Sequence, residues 1–252
     1  MKLGNRKVKN CALAGALALM MGAMAWAQPA QPDLLRLSYY KVRSSGTYDY
    51  QEGMKLINEG YKKAGVPWRR AWTMTMFGET YTGVMATPVK NFAQFDNPGP
   101  MTGLSTTDNI KIQTLMRNAV ESSRHVLVRF APELSLYPGP LPEKTFGRMM
   151  TVRVKPGKTV EYEDLVKTML LPALKQAGIK DFRVNRVILG SAAGEYVTLI
   201  PFAKWSELDG WPTTEKLMGA SYKAYLARIA ETVDSAETQV MTTVPELGFV
   251  SQ

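Results

Sequence analysis

Pro201-Phe202-Ala203-Lys204-Trp205-Ser206-Glu207-Leu208-Asp209 has a counterpart 113 positions earlier in Pro88-Val89-Lys90-Asn91-Phe92-Ala93-Gln94-Phe95-Asp96. The terminal proline and aspartate coincide, and the same offset relates Gly65 to Gly178 and Pro132-Glu133-Leu134 to Pro245-Glu246-Leu247. Matches at one fixed spacing mark an internal repeat, each copy a structural unit that its neighbour helps to bury. Residues 34–139 and 147–252 read as the two copies. Residues 140–146 join them, and the proline-rich Tyr137-Pro138-Gly139-Pro140-Leu141-Pro142 makes a stiff connection.

Each copy reads strand–helix–strand–strand–helix–strand. In the first, Leu35 to Val42 alternates apolar and polar residues, and Tyr50, Met54, Ile57, Tyr61 and Ala64 recur at helical spacing up to Gly65. Trp68 to Phe77 and Tyr81 to Thr87 flank Gly78-Glu79 as a hairpin, and Asn97-Pro98-Gly99-Pro100 is loop. Ser105 to Val120 is a second helix and Arg124 to Phe130 a fourth strand. The second copy gives Met149 to Val154, a helix Glu161 to Ala177 that Pro172 should bend, and the hairpin strands Phe182 to Leu189 and Tyr196 to Ile200. A helix Thr213 to Val233 and a strand Thr238 to Val244 complete it. Asp96 and Asp209 are read as caps of short helices after the hairpins.

A βαββαβ unit builds an antiparallel sheet with both helices on one face, the ferredoxin-like arrangement. The bare sheet face needs cover, and two units can cover each other. This α+β pattern, with the mirrored Pro88–Asp96 and Pro201–Asp209 segments, resembles the dimeric α/β-barrel superfamily, with two ferredoxin-like repeats forming a pseudo-dimeric barrel within one chain. It is similar to the antibiotic-biosynthesis-monooxygenase-like and stress-responsive barrel proteins. The resemblance implies a place among cofactor-free oxygenases, haem-handling enzymes, isomerases and proteins without known activity, so fold does not settle function.

If the helix-covered face is the more apolar one, strand alternation sends Arg36, Ser38, Tyr40, Thr151 and Arg153 into the barrel, with Arg70, Trp72, Arg183 and Asn185, and with Tyr81, Met85, Tyr196 and Thr198. Leu37, Tyr39, Val84, Ala86, Val197 and Leu199 then face helices, as do Ala71 and Thr75. On the fourth strand, His125 and Arg129 point inward. The resulting ligand-binding set is Arg36, Tyr40, Arg70, Trp72, Tyr81, Arg129, Arg153, Arg183, Asn185 and Tyr196. Arginines among aromatic rings suit an aromatic or anionic organic molecule. Paired or solvated strand-end arginines are the ordinary alternative.

His125 is the only histidine and the candidate general base; a structural, hydrogen-bonded histidine is the plainer explanation. In the oxygenase version of the resemblance, Trp72, Asn185 and Tyr40 position the substrate. The haem-handling proteins that the chain resembles usually carry the axial histidine in the second unit; residues 147–252 contain none, so the resemblance disfavours a haem role and leaves methionine or tyrosine as conceivable ligands. No metal-ligand spacing, nucleophile elbow or phosphate cradle is present in the sequence, so no cofactor is expected.

Residues 1–27 read as an export signal: Lys2, Arg6, Lys7 and Lys9, an apolar stretch from Cys11 to Met24, then Ala25-Trp26-Ala27. A periplasmic or secreted chain beginning near Gln28 is expected, with no membrane association after cleavage. Its loss takes four cations and no carboxylate from the net charge of +9, and the only cysteine. The mild remaining charge, without basic blocks, argues against nucleic acid. A small organic molecule is the expected partner, against a non-catalytic assembly module with a solidly filled barrel. Oligomeric state is not legible.

Overall fold

The computed structural model describes residues 32–251 apart from 75–76, 97–98, 100–102 and 144. The export signal, Thr75 and most of the Asn97–Pro100 loop lie outside the described residues.

Among the described residues nine strands form one antiparallel sheet: β1 (Leu34–Val42), β2 (Trp68–Met74), β3 (Thr82–Val89), β4 (Val120–Phe130), β5 (Phe146–Val154), β6 (Arg183–Leu189), β7 (Glu195–Phe202), β8 (Val233–Thr243) and the short β9 (Phe249–Val250). Their order is β3-β1-β4-β6-β7-β5-β8-β2-β9, and a further β3–β2 pairing closes the ring of the first eight. The halves therefore do not stack as two separate sheets. They merge edge to edge, β4 with β6 and β8 with β2. Closure leaves no open edge in the ring.

The first half carries α1 (Thr47–Lys63) and α2 (Thr106–Ala119) outside the barrel. Ser105 starts α2 by accepting from the Asp108 backbone N–H at 3.0 Å. The second half carries α3 (Thr159–Leu165), a π turn (Val166–Leu170), α4 (Leu171–Gln176), α5 (Thr214–Met218) and α6 (Tyr222–Thr232). The helix read as continuous from Thr213 is broken at Gly219, with φ +50°. Asp96 and Asp209 close short 3-10 turns rather than start helices. Phe146, placed in the connection by sequence, already belongs to β5, and Leu141 of that connection is buried.

The π turn explains a change in the repeat's spacing. β1 and β5 start and end 112 residues apart, and so do Tyr50 and Tyr162, each buried on its own helix. Beyond the turn the spacing becomes 113, as in β3 and β7 or β4 and β8. One added residue in a regular helix would rotate everything after it by about 100°. A wide turn absorbs the addition instead. It lies just before Pro172, whose missing N–H could not have bonded back into a regular turn.

Two helix-side cores flank the ring. Tyr50, Met54, Ala71, Met85 and Leu247 pack together in the first half. Val152, Leu165, Val184, Phe182 and Tyr196 do so in the second. A third cluster draws on both halves: Leu35, Leu37, Trp72, Val84, Val128, Met149, Val197 and Met241 fill the barrel's centre.

Candidate functional site

That central cluster reverses several expected orientations. Leu37, Tyr39, Val84, Ala86, Val126, Val128, Val197 and Leu199 face the lumen, not the helices. Tyr40, Met85 and Tyr196 face helices. Both faces of the ring are apolar, because barrel interiors are filled by side chains. Polarity therefore does not tell inside from outside here.

Among the described residues, two chambers open within the lumen. One is a cavity of about 170 Å³ at the end where β2 and β6 begin. Its walls are Leu35, Leu37, Trp72, Val84, Ala86, Leu199 and Met241, with Arg70, Arg183 and Asn185 among them. Tyr137, Pro140 and Leu141 lie across its mouth. The two arginines hold this connection down: Arg70 Nη2 donates to the Leu141 carbonyl at 2.9 Å and Arg183 Nη2 to that of Gly139 at 2.7 Å. The connection is thus part of the chamber.

Among the described residues, three buried polar atoms on this chamber's lining residues have no hydrogen-bond partner: Arg70 Nη1, Trp72 Nε1 and Asn185 Oδ1. Such groups are rarely left unsatisfied in a native fold, since each costs about 1–3 kcal/mol. The repeat shows how Arg70 comes to lack a counter-charge. Its equivalent, Arg183, is clasped by Asp181 through two hydrogen bonds of 2.8 and 2.7 Å. The position equivalent to Asp181 is Trp68. Every Asp and Glu of the chain is among the described residues, and none makes an ion pair with Arg70. Burial, then the nearby Arg183 charge, lowers the Arg70 pKa against the opposing pull of Glu143.

The second chamber, of about 390 Å³, opens at the other end and is polar. Met149 lines both chambers and accepts from Tyr39 Oη at 4.0 Å. Here Glu195, 1% exposed, binds Arg124, accepts from Ser191 Oγ at 2.5 Å and pairs with Arg153 at 3.5 Å. Burial pushes its pKa up, but the hydrogen bonds from Ser191, Arg124 and Arg153 and the Arg124 charge outweigh this and hold it below the ordinary value.

Of the expected ligand-binding residues, Arg70, Trp72, Arg183 and Asn185 meet in the apolar chamber and Arg153 lines the polar one. The others lie elsewhere. Arg36 sits outside the barrel, 5.5 Å from the centre of the Tyr61 ring. Tyr40 packs on Tyr50, and Tyr196 on Tyr162 while donating to Glu163 at 2.8 Å. Arg129 pairs with Asp33 at 3.4 Å on the surface. Tyr81 is an exposed turn residue with φ +58°. Arg69, passed over by sequence, is buried outside the ring on Tyr61 and bonded to Asn58 and Thr87; burial lowers its pKa to about 10.

His125 is not in the lumen. Its Nδ1 shares a 2.9 Å hydrogen bond with Ser38 Oγ, and its ring meets Tyr40 edge-on. Desolvation, then the Arg36 charge, lowers its pKa. Neutral His125 is thus favoured by folding. Its contribution is complete above the unfolded value near 6.5 and is lost as pH falls through the lower folded value. His125→Gln is expected to flatten the fall in stability between about pH 7 and 5 while leaving ligand binding in the lumen unchanged. Denaturant titrations across pH and calorimetry with one ligand check the two halves.

Among the described residues the chambers lack the usual ligands of haem iron. Neither chamber presents histidine or cysteine. Met149 already takes the Tyr39 hydroxyl, and Tyr137 is stacked beneath Arg183 at 4.8 Å and edge-on to Phe130. Among the described residues no cluster of three or more His, Cys, Asp or Glu is arranged to hold a metal ion.

No protein-family model matches the sequence, and a search of curated proteins finds no relative. Solved structures do resemble the chain. A candidate monooxygenase from Lactobacillus acidophilus superposes with a TM-score of 0.54 at 10% identity, over 88% of this chain and 100% of that one. An anthrone oxidase-like protein gives 0.56 at 12% identity, over 85% and 92%. A mutant chlorite dismutase from Candidatus Nitrospira defluvii gives 0.52 at 5%, over 86% and 93%. At such identities the likeness is one of fold.

Proposed function

We propose that this chain, by fold a dimeric α/β barrel in a single polypeptide, binds a small aromatic anion in its apolar chamber. The carrying observation is that Arg70, Trp72 and Asn185, which line one apolar cavity, each hold a buried polar atom without a hydrogen-bond partner among the described residues. Two are donors and one an acceptor. A carboxylate or phenolate oxygen would satisfy Arg70 and Trp72, and a ligand hydroxyl would satisfy Asn185. A cavity of roughly 150 Å³ suffices for a benzene ring, so about 170 Å³ suits a single-ring acid.

The oxygenase version of the resemblance needs a base, and no histidine or carboxylate lines this chamber. A non-catalytic assembly module would have no use for a cavity with unsatisfied donors. Ligand binding is the reading these features support, and the export expected from residues 1–27 belongs to the same proposal, with a mature start near Gln28 as its readout.

Calorimetry with benzoate, 4-hydroxybenzoate and the neutral isostere benzamide tests it. Both acids should bind at least about tenfold more tightly than benzamide, the equivalent of one charge-assisted contact. Equal affinity for benzamide, or no binding of either acid, would overturn the proposal.

A further inference from the structure

We propose that the polar chamber is a second, independent site for a small zwitterion of the α-amino-acid type.

The site depends on where β6 ends. β6 pairs with β4 only over Leu127–Phe130 and leaves the sheet at Gly190. Arg124 on β4 therefore reaches past it to Ser191 and to Glu195 on β7. Arg153 on β5 meets the same carboxylate from the other side. A buried glutamate thus positions two guanidinium groups drawn from both halves of the chain. Both arginine side chains are about half exposed, 43% and 50%. Their remaining N–H groups are free for a ligand, and the trio keeps one net positive charge.

The rest of the lining supplies the opposite charge. Lys41 and Glu79 pair with each other at 3.9 Å. Glu237 accepts only from the Gln239 amide, at 3.0 Å, and has no cation within ion-pair range among the described residues. Glu237 lies opposite Thr151, and Arg153 opposite Ser235, so Glu237 and Arg153 are diagonal neighbours across β5 and β8. Such neighbours stand about 7–8 Å apart. A carboxylate on Arg124 and Arg153 with an ammonium on Glu237 would bridge that span. The Ser122, Thr151 and Ser235 hydroxyls line the same space and make no hydrogen bond within the described protein. With one uncompensated charge of each sign, the chamber favours a dipolar ligand over a simple anion, which would leave Glu237 facing it.

The test is calorimetry with glycine, L-alanine and L-glutamine, using acetate and methylammonium as half-ligands. At least one amino acid should bind about tenfold or more tightly than either half. Glu237→Gln should cost the amino acid about tenfold and leave acetate binding as strong or stronger, whereas Arg153→Met should weaken both. Cooperative urea unfolding of both variants, followed by circular dichroism, shows that the barrel is intact. The proposal fails if no amino acid binds with a Kd under about 1 mM, if acetate binds as well as the amino acids, or if Glu237→Gln changes nothing.

Discussion

Arg70→Met should make the ligand-free protein more stable while it weakens binding of an aromatic acid about 10–100-fold. The two effects share one cause. In the free protein Arg70 carries a desolvated charge with an unbonded Nη1 and no carboxylate partner. Methionine removes that charge and fills similar volume with an apolar, adaptable chain. The lost Nη2 bond to Leu141 costs about 1 kcal/mol, and relief of the partly buried charge should exceed it by about 1 kcal/mol. With ligand bound, the same substitution removes a charge-assisted bond worth about 1.5–3 kcal/mol. Urea denaturation and calorimetry on one preparation measure both. A variant that is less stable and still binds benzoate at full strength would mean that Arg70 serves only to hold the connection in place. Function bought at the expense of stability is common at binding sites.

Gly190→Ala is expected to cost about 3 kcal/mol or more. Two penalties coincide there. The backbone has φ +87°, which an alanine adopts at a cost of about 1–2 kcal/mol. An added Cβ would also sit 2.2 Å from the His125 carbonyl oxygen and 3.1 Å from the Val126 Cα, atoms of a central strand that cannot easily move. Gly157 separates the two terms. It has φ +77° with nothing within 4 Å of an added Cβ, so Gly157→Ala should show the conformational part alone, about 1–2 kcal/mol. Chemical denaturation of the two variants side by side is the measurement; equal losses would show that the close approach at Gly190 is easily relieved.

The repeat made the architecture legible from sequence, since two βαββαβ units sharing apolar faces leave few alternatives. The inner lining was less legible, for two physical reasons. Leu37 and Met149 are equivalent lumen residues, but the 113-residue spacing pairs Leu37 with Met150, which faces the helices. The π turn hides that one-residue slip, and in a strand one residue reverses the face. Val84 and Val126 were sent to the wrong side because the lumen is as apolar as the helix-side core. β2 and β6 escaped both problems, and Arg70, Trp72, Arg183 and Asn185 are where alternation puts them. Glu195 and Arg124 carried no local signal: the first begins a strand, the second sits among serines, and only closure of the ring brings them together.

The pseudo-twofold relation of the halves passes along the lumen, so each chamber draws on equivalent positions twice. Lys41 answers Arg153, Thr82 answers Glu195, Arg124 answers Glu237, and Trp68 answers Asp181. In a homodimer these pairs would be identical, and an unsymmetrical guest could enter in either of two equal poses. Here each pair differs in charge, size or hydrogen-bonding capacity. One polypeptide has thereby given its interior a left and a right, and a guest molecule should settle in a single pose.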